Sequence, residues 1–181
     1  MPKNQKVATE DFPQLLEYSR ETKYDSCMEK VISVIDNHCT FPMIEHLKLF
    51  RLIIFNFLIG NEDMHLKNFT LIRRNNKVEL SPAYDLLNTT IVLQAKEETA
   101  LPLRGKKSKL SQDDLVGYFG HERLKLPKTT LEQELSNFKK SLKPWKSLID
   151  QSFLSQKMKA SYHDLISNRW QRVIGPLHMK R

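Results

Sequence analysis

Glycine is scarce in this chain of 181 residues, with only five in total. None of the five stands in a G-x-G-x-x-G or G-x-x-x-x-G-K pattern, the loops whose backbone N–H groups approach phosphates closely. The sequence therefore predicts no phosphate-cradling loop within these residues.

Cysteine and long apolar runs are equally sparse. Cys27 and Cys39 are the only cysteines and form no C-x-x-C motif, which excludes a zinc site of the usual spacing and favours reduced, packed thiols. The longest apolar run, Leu52–Ile59, is far shorter than the ~20 residues that span a bilayer. The polar start of the chain shows no secretory signal, so we expect a cytoplasmic protein without a membrane partner.

What the sequence has in excess is basic charge. Lys and Arg number 29 against 21 Asp and Glu, which gives a formal net charge of +8. This balance favours acidic partners such as nucleic acid or phosphates without identifying one. The apolar fraction of 40% is ordinary for a globular protein and the length suits one domain, so we predict a single unit over residues 1–181.

Helical spacing of apolar residues dominates both ends of the sequence. The pattern predicts six helices, over about 8–19, 26–37 and 42–59, after Ser111, after Thr130, and over 156–173. The third is apolar around most of its circumference and should lie at the centre, ending at Gly60. Pro144 should break or kink its helix. Four aromatic residues of the C-terminal half are expected in the core: Phe138, Trp145, Phe153 and Trp170.

The period of the pattern changes after Gly60. Phe69–Ile72 and Lys77–Leu80 are typical of two strands, and the polar connection between them contains turn-prone asparagines, which predicts a β-hairpin. A further short strand is expected over Thr99–Leu103, ending at Gly105. The fold class that follows is mainly α, an α+β arrangement in which a helical domain carries a small inserted hairpin.

The most informative stretch is a polar loop, Asn61–Asn68, between the most apolar helix and the hairpin. It places Asp63 five residues before Asn68, and Asp85 follows 17 residues later, where the hairpin can bring it back beside the loop. This order is typical of kinases, because phosphoryl transfer needs a base for the attacking hydroxyl and oxygen ligands for Mg²⁺. The spacing predicts Asp63 as the base, and Asn68 and Asp85 as metal ligands.

Each of these residues also has a plainer interpretation. Asp63 could only shape the turn after the helix, Asn68 could bond backbone groups, and Asp85 could cap the next segment. Lys67 could contact a transferring phosphoryl group or be merely solvated. His65 fits a structural hydrogen-bonding role better than a ligand role. The shared pattern, more than any single residue, supports a catalytic interpretation.

The same residues resemble a known family. Asn61–Phe69 and Leu80–Leu87 are similar to the catalytic and metal-binding motifs of HipA-like serine/threonine kinases. Glu10–Phe12 with Lys23–Tyr24 resembles the segment that follows the interlobe hinge of these kinases. Leu101–Lys107 resembles the strand and basic turn that follow their metal-binding loop. The resemblance covers most of the chain.

This resemblance implies a protein-kinase-like C-lobe from a bacterial toxin–antitoxin system. Such kinases transfer phosphate from ATP, with Mg²⁺, to serine or threonine of protein targets that include aminoacyl-tRNA synthetases. They usually pair with a helix-turn-helix antitoxin that binds DNA. In this chain the resemblance assigns Asp63 and Lys67 to catalysis, and Asn68 and Asp85 to Mg²⁺ and nucleotide binding.

The sequence departs from the family pattern in one respect. It contains no Gly-rich loop, phosphate-binding lysine or hinge of a kinase N-lobe, so we expect it to need an N-lobe from elsewhere in order to act as an enzyme. Two other classes stay open. One is a non-catalytic module that binds an antitoxin, DNA or a separate N-lobe subunit; the other is a metal-dependent hydrolase built on Asp63, His65 and Asp85. The basic cluster Arg104–Lys109 fits either a nucleic-acid contact or a solvated turn.

Overall fold

The computed structural model describes residues 7–17, 26–93 and 96–175. Within these ranges helices dominate and a three-stranded antiparallel sheet packs against them, which confirms the mainly α fold class. The α-helices are α1 Phe12–Leu15, α2 Met28–His38, α3 Pro42–Ile59, α4 Thr90–Leu93, α5 Lys128–Gln151 and α6 Gln156–Val173. A π-helix, Asp113–Arg123, precedes α5, and the strands are β1 Ala8–Asp11, β2 Thr70–Arg74 and β3 Lys77–Leu80.

The predicted hairpin is present, but it belongs to a larger sheet. Strands β2 and β3 pair antiparallel, with Leu71 opposite Leu80. Asn75 and Asn76 between them have positive φ angles of 50° and 59°, which suit the two-residue turn that matches the twist of a hairpin. Strand β1 adds antiparallel to the other edge of β2, giving the order β1-β2-β3.

The first predicted helix is wrong over its first half. Asp11, rather than Thr9, caps helix α1, because its carboxylate accepts a hydrogen bond from Gln14 N at 3.0 Å. The residues before Asp11 are therefore outside the helix and pair with β2 as strand β1. The end of that predicted helix lies outside the described residues, as do Lys23 and Tyr24 of the family resemblance.

Three further predictions need correction. The strand expected over Thr99–Leu103 is not formed within the described residues, where Leu103 and Lys106 make only an isolated bridge around Gly105. The helix expected after Thr130 begins at Lys128 instead, and it continues through Pro144 without a break. The ring contact between Phe138 and Trp145, which lie on either side of this proline, joins the two halves of the helix.

The capping pattern at Ser111 is confirmed, although the helix that it opens is a π-helix. Asp114 Oδ2 accepts a hydrogen bond from Ser111 N at 3.0 Å, and Asp114 N donates to Ser111 Oγ at 3.3 Å. The last turn closes with Leu124 N donating to Phe119 O, an i to i+5 spacing. Residue periodicity alone did not reveal this wider pitch.

The core surrounds helix α3, as its apolar circumference predicts. Four of its side chains are fully buried: Leu49, Phe50, Ile54 and Leu58. Trp145 packs edge-on against Phe55, Phe138 and Trp170, with ring centroids 5.4 Å, 6.2 Å and 6.1 Å away. The prediction of a buried Phe153 is wrong: its side chain is fully exposed, because it lies in the turn after α5 rather than on a helix face.

Both cysteines are free thiols, and Cys39 is buried. Burial, reinforced by the negative charge of Glu45, raises the pKa of the Cys39 thiol to about 12. Over the parts of the chain that the structure describes, none of the helices combines the length and apolarity that crossing a bilayer requires.

Candidate active site

The polar loop Asn61–Asn68 begins where helix α3 ends. Gly60 closes the helix in the left-handed conformation, with φ of 83°, and a Cβ atom there would lie 2.5 Å from Leu165 Cδ2. The left-handed backbone and the close approach of Leu165 both require glycine at this position. The Gly60 carbonyl accepts hydrogen bonds from Thr89 N at 3.0 Å and Thr90 N at 3.1 Å. The start of the loop is therefore fixed to the chain that follows the hairpin.

A buried amide, Asn61, joins the loop to both predicted acids. Its Nδ2 donates to Asn56 Oδ1 at 2.7 Å and to the Asp85 carbonyl at 2.9 Å. Its Oδ1 accepts from Asp63 N at 3.3 Å. Because an amide side chain offers donors and an acceptor together, one residue positions the backbone of both Asp63 and Asp85.

Asn68 and Asp85 meet across the hairpin. Asn68 Nδ2 donates to Asp85 Oδ2 at 2.7 Å, and Asn68 Oδ1 accepts from His65 N at 2.9 Å. Asn68 is buried, whereas Asp85 is exposed. The φ angle of Asp85 is 56°, a region that side chains other than glycine occupy mainly at turns and functional sites.

Asp63 and Lys67 lie on the same loop. Asp63 is exposed, and its carbonyl accepts from His65 N at 2.9 Å. Lys67 is partly buried, and its carbonyl accepts from the Tyr84 hydroxyl at 2.6 Å. Because Tyr84 adjoins Asp85, this bond ties the Lys67 backbone to the segment that carries the second acid.

A buried charge network beneath the loop was missed by the sequence analysis. Arg169 of helix α6 is 3% exposed and donates to the Phe57 carbonyl, in the last turn of α3, at 2.6 Å. Glu62 is also buried; this burial raises the pKa of its carboxyl, and the positive charge of Arg169 opposes the shift. Burial lowers the pKa of the Arg169 guanidinium, opposed by the charges of Glu98 and Glu62. No local pattern could have predicted this network, since its members come from distant parts of the chain.

The oxygen donors of the site suit Mg²⁺. This ion binds through one or two protein oxygens and completes its shell with phosphate oxygens and water. The Asp85 carboxylate beside the Asn68 amide supplies such a pair, since Asn68 Oδ1 keeps a second lone pair beside its bond to His65 N. In the described ranges no three His, Cys, Asp or Glu residues converge on a metal position. Asp63, His65 and Asp85 therefore do not form the three-ligand centre that the hydrolase alternative requires.

The basic cluster Arg104–Lys109 is a turn whose charges are largely paired. Three of its four cationic side chains contact acids, in the pairs Arg104–Asp113, Lys106–Asp114 and Lys107–Glu97. Burial by itself raises the pKa of the Asp114 carboxyl, but the hydrogen bonds from Lys106 and Ser111 hold that pKa below its usual value. The pairing favours a structural turn over a nucleic-acid contact.

Comparison with known proteins shows which family this chain belongs to. The sequence matches the HipA-like C-terminal domain over residues 2–146. The chain belongs to this family. It is 37% identical over 113 residues to Putative kinase Y4dM of Sinorhizobium fredii, and 31% identical over 117 residues to Putative kinase Y4mE of the same organism. These alignments cover 61% and 62% of this chain, but only 27% and 28% of the two relatives.

Two solved structures share the fold of this HipA-like domain. One is the toxin–antitoxin complex of HipA, HipB and operator DNA from Shewanella oneidensis MR-1, with a TM-score of 0.75 and 19% identity. The match covers 97% of this chain and 46% of that one. The other is the Helicobacter pylori proinflammatory kinase CtkA, with a TM-score of 0.63, 19% identity, and coverage of 96% and 66%. At this identity the likeness establishes a fold shared with these two proteins.

Proposed function

We propose that this HipA-like domain is the catalytic lobe of a protein kinase that transfers phosphate from ATP to serine or threonine. The observation that carries the proposal is the contact of 2.7 Å between Asn68 Nδ2 and Asp85 Oδ2, beside the loop that bears Asp63. Relatives named as kinases and a fold shared with CtkA support phosphoryl transfer.

Asp63 is proposed to orient the attacking hydroxyl and accept its proton. Its exposure leaves it open to a protein substrate, while Asn61 restrains its backbone. Phosphoryl transfer depends on positioning and charge stabilisation more than on covalent chemistry by the protein. The ammonium group of Lys67, four residues further along the same loop, is proposed to stabilise negative charge on the transferring phosphoryl group.

Asn68 and Asp85 would hold Mg²⁺, which when bound neutralises charge on the nucleotide phosphates. The bond from Asn61 to the Asp85 carbonyl restrains the backbone at this position, so little reorganisation is needed when a nucleotide arrives. We expect the Gly-rich loop, the phosphate-binding lysine and the hinge to come from an N-lobe outside residues 1–181. The domain alone should bind nucleotide weakly.

The biological setting is proposed from the HipA, HipB and operator DNA complex. We propose that the protein works in the cytoplasm as part of a bacterial toxin–antitoxin system. A helix-turn-helix antitoxin would bring DNA contact, and protein targets such as aminoacyl-tRNA synthetases would be the substrates.

The base is tested by Asp63→Asn, which keeps the shape of the side chain and removes its proton acceptor. Transfer of labelled phosphate from ATP to a serine-containing protein should be measured with the N-lobe present, either in the same chain or added separately. We expect the rate to fall by about 10²–10⁴-fold, while Mg²⁺-dependent nucleotide binding is kept. An unchanged rate in this variant, or no transfer by the wild type, would contradict the proposal.

A further inference from the structure

Arg169 of helix α6 is a buried cation to which the proposed reaction assigns no role. Its Nη1 donates to the Phe57 carbonyl at 2.6 Å, and its Nη2 donates to Thr90 Oγ1 at 3.3 Å. The guanidinium also lies over the Phe57 ring, 5.0 Å from the centroid. Because the guanidinium is planar and rigid, bonding two acceptors at once fixes their separation as well as their positions.

The two acceptors lie on either side of the candidate active site in the sequence. Phe57 is in the last turn of α3, just before the loop Asn61–Asn68, and Thr90 is the first residue of α4. Thr90 Oγ1 donates in turn to the Gly60 carbonyl at 2.9 Å. Arg169 therefore ties the end of α3 to the chain that leaves the candidate site.

Glu62, the residue before Asp63, also interacts with Arg169. The Glu62 carboxyl is buried, and the positive charge of Arg169 favours its ionised form. The backbone N–H of Glu62 donates to Thr89 Oγ1 at 3.0 Å. The chain that enters Asp63 is therefore restrained by helix α6 and by the segment that precedes α4.

The proposed metal ligands have anchors of their own. Asn68 Nδ2 bonds the Asp85 carboxylate at 2.7 Å, and Asn68 Oδ1 accepts from His65 N at 2.9 Å. Neither bond involves Arg169. A change at Arg169 should therefore displace the proposed base more than it displaces the oxygen atoms that would hold Mg²⁺.

We propose that Arg169 is a positioning residue for the proposed base, and that it fixes Asp63 through its bonds to the Phe57 carbonyl and Thr90 Oγ1. This inference rests on the proposed function, because it concerns the reaction in which Asp63 is the base. An apolar side chain of similar volume often stabilises a core as well as a buried charge does. The geometry that Arg169 imposes on the loop explains its burial better than stability does.

Arg172 offers a matched control on the same helix. Its guanidinium also lies over the Phe57 ring, 5.5 Å from the centroid. It donates to the Glu98 carboxylate at 2.5 Å and 3.1 Å, and to the Leu110 carbonyl. Arg172 thus resembles Arg169 in stacking and in hydrogen bonding, but these hydrogen bonds lie away from the candidate active site.

The test compares Arg169→Lys with Arg172→Lys, since both changes keep the charge and remove the planar guanidinium. Transfer of labelled phosphate from ATP to dephosphorylated casein, a serine-containing protein, is measured with the N-lobe present. We expect Arg169→Lys to lower kcat by about 10–10²-fold, and to change the KM for ATP by less than about threefold. Arg172→Lys should change kcat by less than about threefold.

Two results of this comparison would overturn the proposal. One is an equal loss of kcat in the two variants, which would trace the effect to the packing of α6 in general. The other is a rise in the KM for ATP as large as the fall in kcat of Arg169→Lys, which would indicate damage to the whole site. If circular dichroism shows that Arg169→Lys does not fold, Thr90→Val replaces it, because valine keeps the shape and removes the acceptor. The same change in kcat and KM is expected.

A double variant shows whether Arg169 acts through Asp63. If it does, adding Arg169→Lys to Asp63→Asn should slow the residual transfer by less than about threefold. A further loss of about tenfold or more would overturn the proposal, because the two residues would then act independently.

Failure of this inference differs from failure of the proposed function. No transfer by the wild type would contradict the proposed function and this inference with it. Transfer by the wild type at a rate that Arg169→Lys leaves unchanged would overturn this inference alone.

Discussion

The loop Asn61–Asn68 and the turn Arg104–Lys109 are both polar segments of this domain, but they hold their charges differently. In the turn, cationic side chains are paired with acids such as Asp113 and Asp114. In the loop, the neutral amide of Asn61 holds the backbone of Asp63 and also bonds the backbone of Asp85 beyond the hairpin, while both acidic side chains remain exposed. Charges that neutralise one another stabilise a turn, whereas charges positioned by amides can serve a ligand.

The largest effect on stability is expected from Gly60→Ala. Gly105→Ala makes the same change at the other glycine and serves as the comparison. Both residues have positive φ, 83° and 73°, but only at Gly60 does a Cβ meet a close neighbour, Leu165 Cδ2 at 2.5 Å. Gly60→Ala should cost roughly 2–4 kcal/mol of unfolding free energy, from backbone strain and overpacking together. Gly105→Ala should cost about 1 kcal/mol, from the backbone alone.

Urea unfolding followed by circular dichroism checks this pair of variants. Equal losses of unfolding free energy in the two variants would show that the close approach of helix α6 to the end of α3 adds nothing to the cost of Gly60→Ala.

A smaller loss is expected when the amide that organises the loop is removed. Asn61→Ala leaves the donor of Asp63 and the acceptors of Asn56 and Asp85 without their partner. We expect a loss of about 1–3 kcal/mol, measured by urea unfolding. Nucleotide affinity should also fall, because the backbone of Asp85 is released. Asn137→Ala, an exposed amide on α5, is the control and should change neither quantity.

Removal of an acid that pairs with the turn should lower stability and leave nucleotide binding unchanged. Asp114 caps the π-helix through Ser111 and pairs with Lys106, with its side chain 1% exposed. Asp114→Ala should therefore cost about 1–2 kcal/mol, the value of a lost helix cap. Reduced nucleotide affinity in a folded Asp114→Ala protein would erase the distinction between the two segments.

The same residue gives the smallest effect, a dependence on pH. The hydrogen bonds of Asp114 outweigh its burial and hold its pKa below the ordinary value of 3.8. Its contribution to stability is therefore fully present above that value and is lost as the pH falls through the folded-state pKa. The difference in unfolding free energy between wild type and Asp114→Ala should shrink from about pH 6 to about pH 2.5. A difference in unfolding free energy that stays constant over this pH range would contradict a lowered pKa for Asp114.

Local patterns predicted those parts of the molecule that depend on nearby residues. The apolar circumference of α3, Gly60 at its end and the paired asparagines of the hairpin all act within a few positions, so the sequence was sufficient for them. The spacing from Asn68 to Asp85 also predicted that the two meet, because a two-stranded hairpin returns the chain to its starting edge.

The features that were missed depend on distant partners. Strand β1 exists because β2 offers it an edge, and Arg169 reaches the end of α3 from the last helix. Neither leaves a periodic signal in its own segment. Phe153 is a large apolar residue of the kind that usually lies in a core. Because α5 ends at Gln151, Phe153 lies in a turn and is exposed.

The central claim is that Asp85 and Asn68 form a Mg²⁺-dependent nucleotide site, and calorimetric titration with a non-hydrolysable ATP analogue tests it most directly. Asp85→Asn is the decisive variant, because asparagine tolerates the positive φ and only the charge is lost. Asp113→Asn, at an exposed acid of the π-helix that pairs with Arg104 of the basic turn, is the matched control.

We expect Mg²⁺-dependent binding by the wild type and by Asp113→Asn, and a loss of at least about tenfold in affinity for Asp85→Asn. If the chain alone binds too weakly to measure, the titration is repeated with the N-lobe supplied. Equal affinity of Asp85→Asn and wild type, or no binding by the wild type with the N-lobe present, would contradict the account.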